Sequence, residues 1–280
     1  MQRVPGLFGD ALMKYALLAS GSKGNCFLYK DENTSLMIDC GTTRKYLTGC
    51  FAQLKFDPAD LDAVLITHDH TDHIAQIKMF SDHEIYSPVE LAGISTHRVK
   101  PMQKFQIEHV TVTPLALSHD AGPTVGYILE TWESKLVYIT DTGYLKEEYI
   151  PLITGADIYI LESNHDVEML MATHRPQFLK ARIFSDTGHL CNEDCASILE
   201  CAVTPKTKMV VLAHLSQEAN ERSLALSVAT ERLRRYGRVR KDLVICAAGQ
   251  YEIIRGGDRN EKTDPGSVSC IAGVERMADL

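Results

Sequence analysis

Apolar residues along this chain gather in short runs closed by glycine, polar or acidic residues. That pattern belongs to strands buried on both faces, with helices between them. The first run, Tyr15–Ala19, leads into the glycine-rich turn Ser20-Gly21-Ser22-Lys23-Gly24-Asn25 and a second strand over Cys26–Tyr29. A third run, Ser35–Asp39, stops at Cys40-Gly41, after which Thr42 or Thr43 can cap a helix reaching about Leu54. Ala63–Thr67 is a buried-type strand, followed by a predicted helix from about Asp72 to Ser81. Val110, Val112, Pro114 and Ala116 share one parity in a strand that ends at Ser118-His119-Asp120. Val125–Thr131 and Lys135–Thr140 flank the polar turn Trp132-Glu133-Ser134 as a hairpin. Ile158–Leu161 and Met209–Ala213 are further strands, and helices are predicted over about Pro176–Ile183, Glu193–Val203 (capped by Asn192) and Ser223–Arg235.

Five of these strands end in a residue that can bind metal or move a proton: His68, His119, Asp141, Glu162 and His214. In layered α/β proteins strand ends cluster along one sheet edge, so groups distant in sequence converge at one mouth. No low-complexity linker or repeat divides the chain. The expectation is therefore a single α/β domain over residues 13–256, with a loose extension at 1–12 and a polar tail at 257–280.

The most informative segment is His68-Asp69-His70-Thr71-Asp72-His73, which packs three of the chain's 11 histidines and two carboxylates directly behind a buried strand. Imidazole nitrogen with carboxylate oxygen is a ligand set for zinc, manganese or iron at a hydrolytic site. Alternation sends His68 and His70 to the same side, and Asp72 and His73 open the next helix, within reach of a second ion. The segment is too concentrated to read as a polar loop that happens to hold histidines.

The H-x-H-x-D-H arrangement, with single His, Asp and His residues downstream at strand ends, resembles the metallo-β-lactamase superfamily over roughly residues 14–255. The resemblance implies a four-layer αββα sandwich and two divalent metal ions per chain. It implies that His68, His70 and His119 hold one ion, that Asp72, His73 and His214 hold the other, and that Asp141 bridges them. Asp72 would count among the catalytic residues. The Glu162 of Leu161-Glu162-Ser163-Asn164 and the His189 of Gly188-His189-Leu190 are similar to a pair in the RNase Z and phosphodiesterase branches. That similarity implies that Glu162 orients His189, which protonates a leaving alkoxide or holds a phosphate oxygen. The opening turn, the block Leu161-Glu162-Ser163-Asn164-His165-Asp166 and the run Gly188-His189-Leu190-Cys191-Asn192 together resemble the YycJ/WalJ (VicX) group. Members of that group are bacterial cytoplasmic hydrolases, and 5′-to-3′ exonuclease action on DNA is the activity implied.

Composition refines this picture. Of the 280 residues 45% are hydrophobic, enough for a large core, and no apolar run reaches the roughly 18 residues of a membrane span. There is no signal-peptide succession, and eight scattered cysteines read as reduced thiols, so cytoplasmic residence without membrane attachment is expected. A formal net charge of -8 lacks the basic footprint of a nucleic-acid binder, so a polyanion must be met by a local patch. Lys23, Arg175, Lys180 and Arg182 are the candidates for holding substrate phosphate, although the last three also fit a solvated amphipathic helix. His165 and His174 are near enough in sequence for one to touch substrate. Hydrolysis of a small phosphodiester or thioester is the alternative reading, and a metal-stabilised protein without turnover is a third.

Overall fold

The computed structural model describes residues 14–236, 239–257 and 274–276. Its first part runs β1 (Lys14–Ala19), β2 (Cys26–Lys30), β3 (Ser35–Ile38), α1 (Arg44–Leu54), β4 (Ala63–Leu65), α2 (Thr71–Ile74), β5 (Glu84–Ser87) and β6 (His97–Arg98). The second supplies β7 (Phe105–Ile107), β8 (Val110–Leu117), β9 (Thr124–Glu130), β10 (Lys135–Ile139), α3 (Ile150–Ile153), β11 (Ile158–Glu162), α4 (Val167–Ala172), α5 (Gln177–Ile183), α6 (Asn192–Ala202), β12 (Met209–Ala213), α7 (Arg222–Tyr236), β13 (Val244–Ala247), β14 (Ile254–Gly256) and β15 (Val274–Arg276). One sheet has the order β14-β1-β2-β3-β4-β5-β6, the other β15-β13-β12-β11-β10-β9-β8-β7.

The sheets stack because their strands are apolar on both faces. Along β12, Met209, Val211 and Ala213 enter the core between the sheets, whereas Val210 and Leu212 enter a second core beneath α6 and α7. β1 does the same on the other side, with Tyr15 and Leu17 between the sheets and Ala16 and Leu18 in a third core that includes Leu47, Phe51 and Leu54 of α1. Helix, sheet, sheet and helix therefore follow one another as the four-layer αββα sandwich. Each buried leucine or valine contributes about 1.5–3 kcal/mol relative to exposure, which commits both faces of every central strand.

Strand direction then fixes the site. β10, β11 and β12 are mutually parallel, and β8 lies two antiparallel steps from β10, so all four end at the same edge. β3 and β4 are parallel in the facing sheet. The helix predicted over Asp72–Ser81 is instead α2 followed by a 3₁₀ turn over Ile77–Phe80. The carbonyls of Asp72 and His73 accept from the N–H groups of Asn25 and Cys40 at 2.8 and 2.7 Å, and the Gln76 N–H turns to the Cys40 carbonyl at 3.0 Å. The bonds that would extend α2 are thus spent tying the histidine segment to the neighbouring loops. Of the polar tail, residues 274–276 form β15 against β13, while the extension at 1–12 and most of 258–280 lie outside the described residues. No helix among the described residues is long and apolar enough to cross a membrane.

Candidate metal centre and proton donor

Every metal ligand foreseen in the sequence arrives at one point on this edge. Ligand atoms of His68, His70 and His119 lie within 4.8 Å of one another, as do those of Asp72, His73 and His214, and those of His68, His73 and Asp141. Asp141 stands between the groups. Its Oδ2 is 3.1 Å from His73 Nε2, and its Oδ1 is 3.4 Å from His214 Nε2 and 4.0 Å from His119 Nε2. The buried Nε2 atoms of His68 and His214 have no hydrogen-bond partner, which orphans two polar atoms unless a cation meets them. A cluster of imidazoles and carboxylates with such orphaned nitrogens suits divalent metal ions.

Backbone strain marks the same place. Asp39, Asp141 and His214 follow β3, β10 and β12 with φ of 59°, 60° and 55°. Left-handed geometry costs a non-glycine residue about 1–3 kcal/mol, and persists where the surroundings over-determine it. Asp39 supports this cluster from behind and was not among the residues the sequence singled out. It is wholly buried, its Oδ2 accepts from His73 Nδ1 at 2.8 Å, and the Thr67 N–H and hydroxyl donate to it at 2.9 Å. A carboxylate on the far nitrogen of a liganding imidazole fixes its tautomer and raises its basicity. The one sequence signal of Asp39 is its place at the end of an apolar strand.

Charge is balanced inside the cluster rather than against solvent. Burial drives the His68 imidazole down and opposes protonation of His73, but Asp39 and Asp141 hold His73 well above the ordinary range. Burial likewise opposes the His214 cation, but Asp141 and Glu162 lift it to about 9. Burial would raise Asp141 and Glu162. His214 and His73 instead hold Asp141 well below the carboxylate range, and His189 and His214 bring Glu162 down to about 2.

Glu162 ties this cluster to His189. Its Oε1 accepts from His189 Nδ1 and from His214 Nδ1, both at 2.8 Å, and its Oε2 accepts from the Thr142 N–H at 2.9 Å. One carboxylate oxygen thus holds His214 of the cluster and the neighbouring His189 imidazole together. The His189 ring is 21% exposed, the most open of this trio, and its Nδ1 is 3.6 Å from Asp141 Oδ1. The His119 Nδ1–H donates to the carbonyl of Gly188 at 3.2 Å, and a Cβ on that glycine would meet the Ile183 carbonyl at 2.1 Å, so only glycine lets the His189 loop lie this close.

The basic candidates divide. Lys180 is a correction: it is 5% exposed, and its ammonium donates to the Met171 carbonyl at 2.6 Å, so it braces α4 against α5 instead of facing a phosphate. The Arg175 Nε is bonded to Glu218 at 2.9 Å. Arg182 Nε pairs with Asp120, the residue after His119, and Lys23 is exposed on the glycine-rich turn. His174 is exposed, whereas His165 is buried and burial lowers it to about 4.

A sandwich whose facing sheets jointly present this His/Asp cluster is the frame of a metal-dependent hydrolase of the metallo-β-lactamase type. The profile of the Beta-lactamase superfamily domain matches residues 34–215. The exodeoxyribonuclease YycJ of Bacillus anthracis is 34% identical over 227 residues, covering 76% of this chain and 86% of that protein. The exodeoxyribonuclease WalJ of Streptococcus pneumoniae serotype 2 is 34% identical over 229 residues, with coverage of 76% and 85%. Among solved structures, the metallo-β-lactamase fold protein YhfI of Bacillus subtilis superposes with a TM-score of 0.65 at 18% identity, covering 87% of this chain and 99% of that one. The chain belongs to the β-lactamase superfamily and, within it, to the YycJ/WalJ family.

Proposed function

We propose that this chain is a dinuclear metal-dependent nuclease that removes nucleotides from DNA in the 5′-to-3′ direction. Its two ions would be zinc or manganese, with iron as a further possibility, one on His68, His70 and His119 and the other on Asp72, His73 and His214, with Asp141 shared. When bound, such ions supply a water of lowered pKa and positive charge opposite the phosphoryl oxygens. The observation that carries the reading is the 2.8 Å bond from His189 to Glu162 beside that cluster. With Nδ1 held by the carboxylate, Nε2 would carry the proton that a departing sugar oxygen needs. A thioester, whose thiolate leaves without a proton, has little need of that donor, whereas the alkoxide of a phosphodiester needs it greatly. The polymer rests on the likeness to the YycJ and WalJ exodeoxyribonucleases, and the direction on the resemblance of the sequence blocks to that group. A cytoplasmic setting is supported by the free thiols of Cys26, Cys40, Cys50, Cys191, Cys195, Cys201 and Cys246.

The test uses His189→Ala. Turnover of DNA should fall about 10²- to 10⁴-fold while metal content is retained, and a nitrophenyl phosphodiester, whose leaving group needs no proton, should lose far less. Equal losses on both would make His189 a phosphate-positioning group. On wild-type protein, DNA labelled at the 5′ end should release label first, and first release from a 3′ label would reverse the polarity. A small phosphodiester or thioester substrate is the second reading, favoured by the net charge of -8 and by Arg175 being taken up by Glu218. Wild-type protein that hydrolyses only the reporter would establish it.

A further inference from the structure

Residues 91–107 hold no carboxylate, although 37 of the chain's 280 residues are acidic. Within that stretch Arg98, Lys100 and Lys104 are all exposed. Lys104 stands 3.7 Å from Glu130, and the neighbouring His97 is bonded to Glu84. Arg98 and Lys100 have no acidic partner among the described residues.

Lys100 opens a tight turn. The Gln103 N–H donates to the Lys100 carbonyl at 3.1 Å, with Pro101 at the second position and Met102 at the third, where its φ is 63°. That is the pattern of a type II turn, whose third position favours glycine. Met102, 47% exposed, keeps this geometry because both flanks are braced. Its N–H donates to the Pro114 carbonyl of β8 at 2.8 Å, and the Tyr86 ring of β5 stacks on His97 of β6 and on Phe105 of β7, each at 4.7 Å.

Strand register brings the turn level with the metal centre. β4, β5 and β6 are parallel, and Leu65, Tyr86 and His97 are partners across them. Pairing continues past them, since the Ile66 N–H donates to the Tyr86 carbonyl at 2.8 Å and the Val99 N–H to the Ser87 carbonyl at 2.9 Å. Lys100 thus follows this level by as many residues as His68 does. Two strand spacings, roughly 10 Å, separate them along the sheet edge.

We propose that Arg98 and Lys100 hold backbone phosphates of a nucleic acid whose scissile bond lies at the metal centre. The inference rests on the nuclease reading and deepens it by naming the surface that meets the substrate's charge. A chain of net charge -8 repels a polyanion unless unpaired cations stand where the polymer passes. Arg175, Lys180 and Arg182 are taken up by groups of the protein itself, whereas Arg98 and Lys100 are not. Their distance from His68 is roughly three steps of B-form DNA at 3.4 Å each, so a polymer seated at the centre passes this turn and a single nucleotide ends short of it. An acidic protein surface would meet the same charges, but gains nothing from their standing level with His68.

The test is steady-state kinetics of the full, metal-loaded chain on a DNA duplex of about 20 base pairs and on a nitrophenyl phosphodiester, over a range of salt concentrations. Arg98→Gln and Lys100→Gln should each raise KM for DNA by about 2- to 5-fold, the range for one exposed ion pair. The double variant should flatten the slope of log kcat/KM against log salt by about 1.8, two phosphates on B-form DNA, and leave the reporter unchanged. Lys100→Arg should keep the wild-type slope. An unchanged KM and slope in a double variant that still degrades DNA overturns the phosphate contact, makes these cations an ordinary solvated surface and leaves the nuclease reading standing. Equal losses on DNA and reporter overturn it as well, because the turn would then act on the centre and not on the polymer. Self-association abolished in the double variant at constant KM assigns the turn to a second copy of the chain instead. Wild-type protein that cleaves the reporter and leaves DNA intact overturns the nuclease reading itself.

Discussion

Single side chains here act mostly through one another. Asp39 touches no substrate, yet it sets how His73 is held, so Asp39→Ala should weaken metal binding by about 10- to 100-fold, measured by competition with a chromophoric chelator. Retained affinity in folded protein would show that Thr67 alone suffices to orient His73. The same reasoning explains which residues could be read from the sequence. His68, His70, Asp72, His73, His119, Asp141 and His214 were legible because metal chemistry restricts the residue type and a buried strand restricts the place. Asp39 obeys the same placement rule, but a lone acid at a strand end carries no cluster to announce it. Lys180 failed for the opposite reason: charge can be read from a sequence, but the direction of a flexible side chain cannot, and a carbonyl of α4 captured it.

At the scale of elements, β8, β10, β11 and β12 end within a residue or so of their apolar runs, and β4 stops at Leu65, short of the run ending at Thr67, because burial on both faces leaves little freedom of register. The helix after the histidine segment did not follow its pattern, since α2 surrenders its carbonyls to Asn25 and Cys40, contacts made by residues more than 30 positions away. Those long-range ties make the packing of the loops decisive. A Cβ on Gly41 would lie 1.7 Å from the Asp72 carbonyl oxygen and 2.8 Å from the Asn25 nitrogen. Gly41→Ala must therefore push α2 away, and is expected to cost about 1–3 kcal/mol, roughly 2 to 10 °C in thermal denaturation, together with metal from the Asp72 side. A variant with wild-type melting temperature and metal content would mean that the loop yields without moving α2.

For the whole molecule, the centre is a seam. His68, His70, Asp72 and His73 come from the sheet of β4, and His119, Asp141 and His214 from the sheet of β8, β10 and β12. Without metal the seam is held by charge, and its response to pH has a definite sign. His214, raised from 6.5 to about 9, contributes stability that is fully present below pH 6.5 and is lost as pH rises through 9, and His73 adds a loss of the same sign. Glu162, lowered from 4.5 to about 2, contributes above pH 4.5 and loses its contribution as pH falls toward 2. Chelated protein should therefore melt progressively earlier between pH 6.5 and 9, and metal-loaded protein should resist, because ions select the neutral imidazoles that alkali produces. Parallel denaturation curves with and without chelator check this, and a flat chelated curve would disprove it. The seam also orders events during synthesis. His68 emerges from the ribosome long before His214, so a nascent chain carries half a centre for most of its translation, exposed and able to take only weakly held ions. On the dinuclear reading, activity then waits until β12 brings His214 to the seam, late in the order of synthesis.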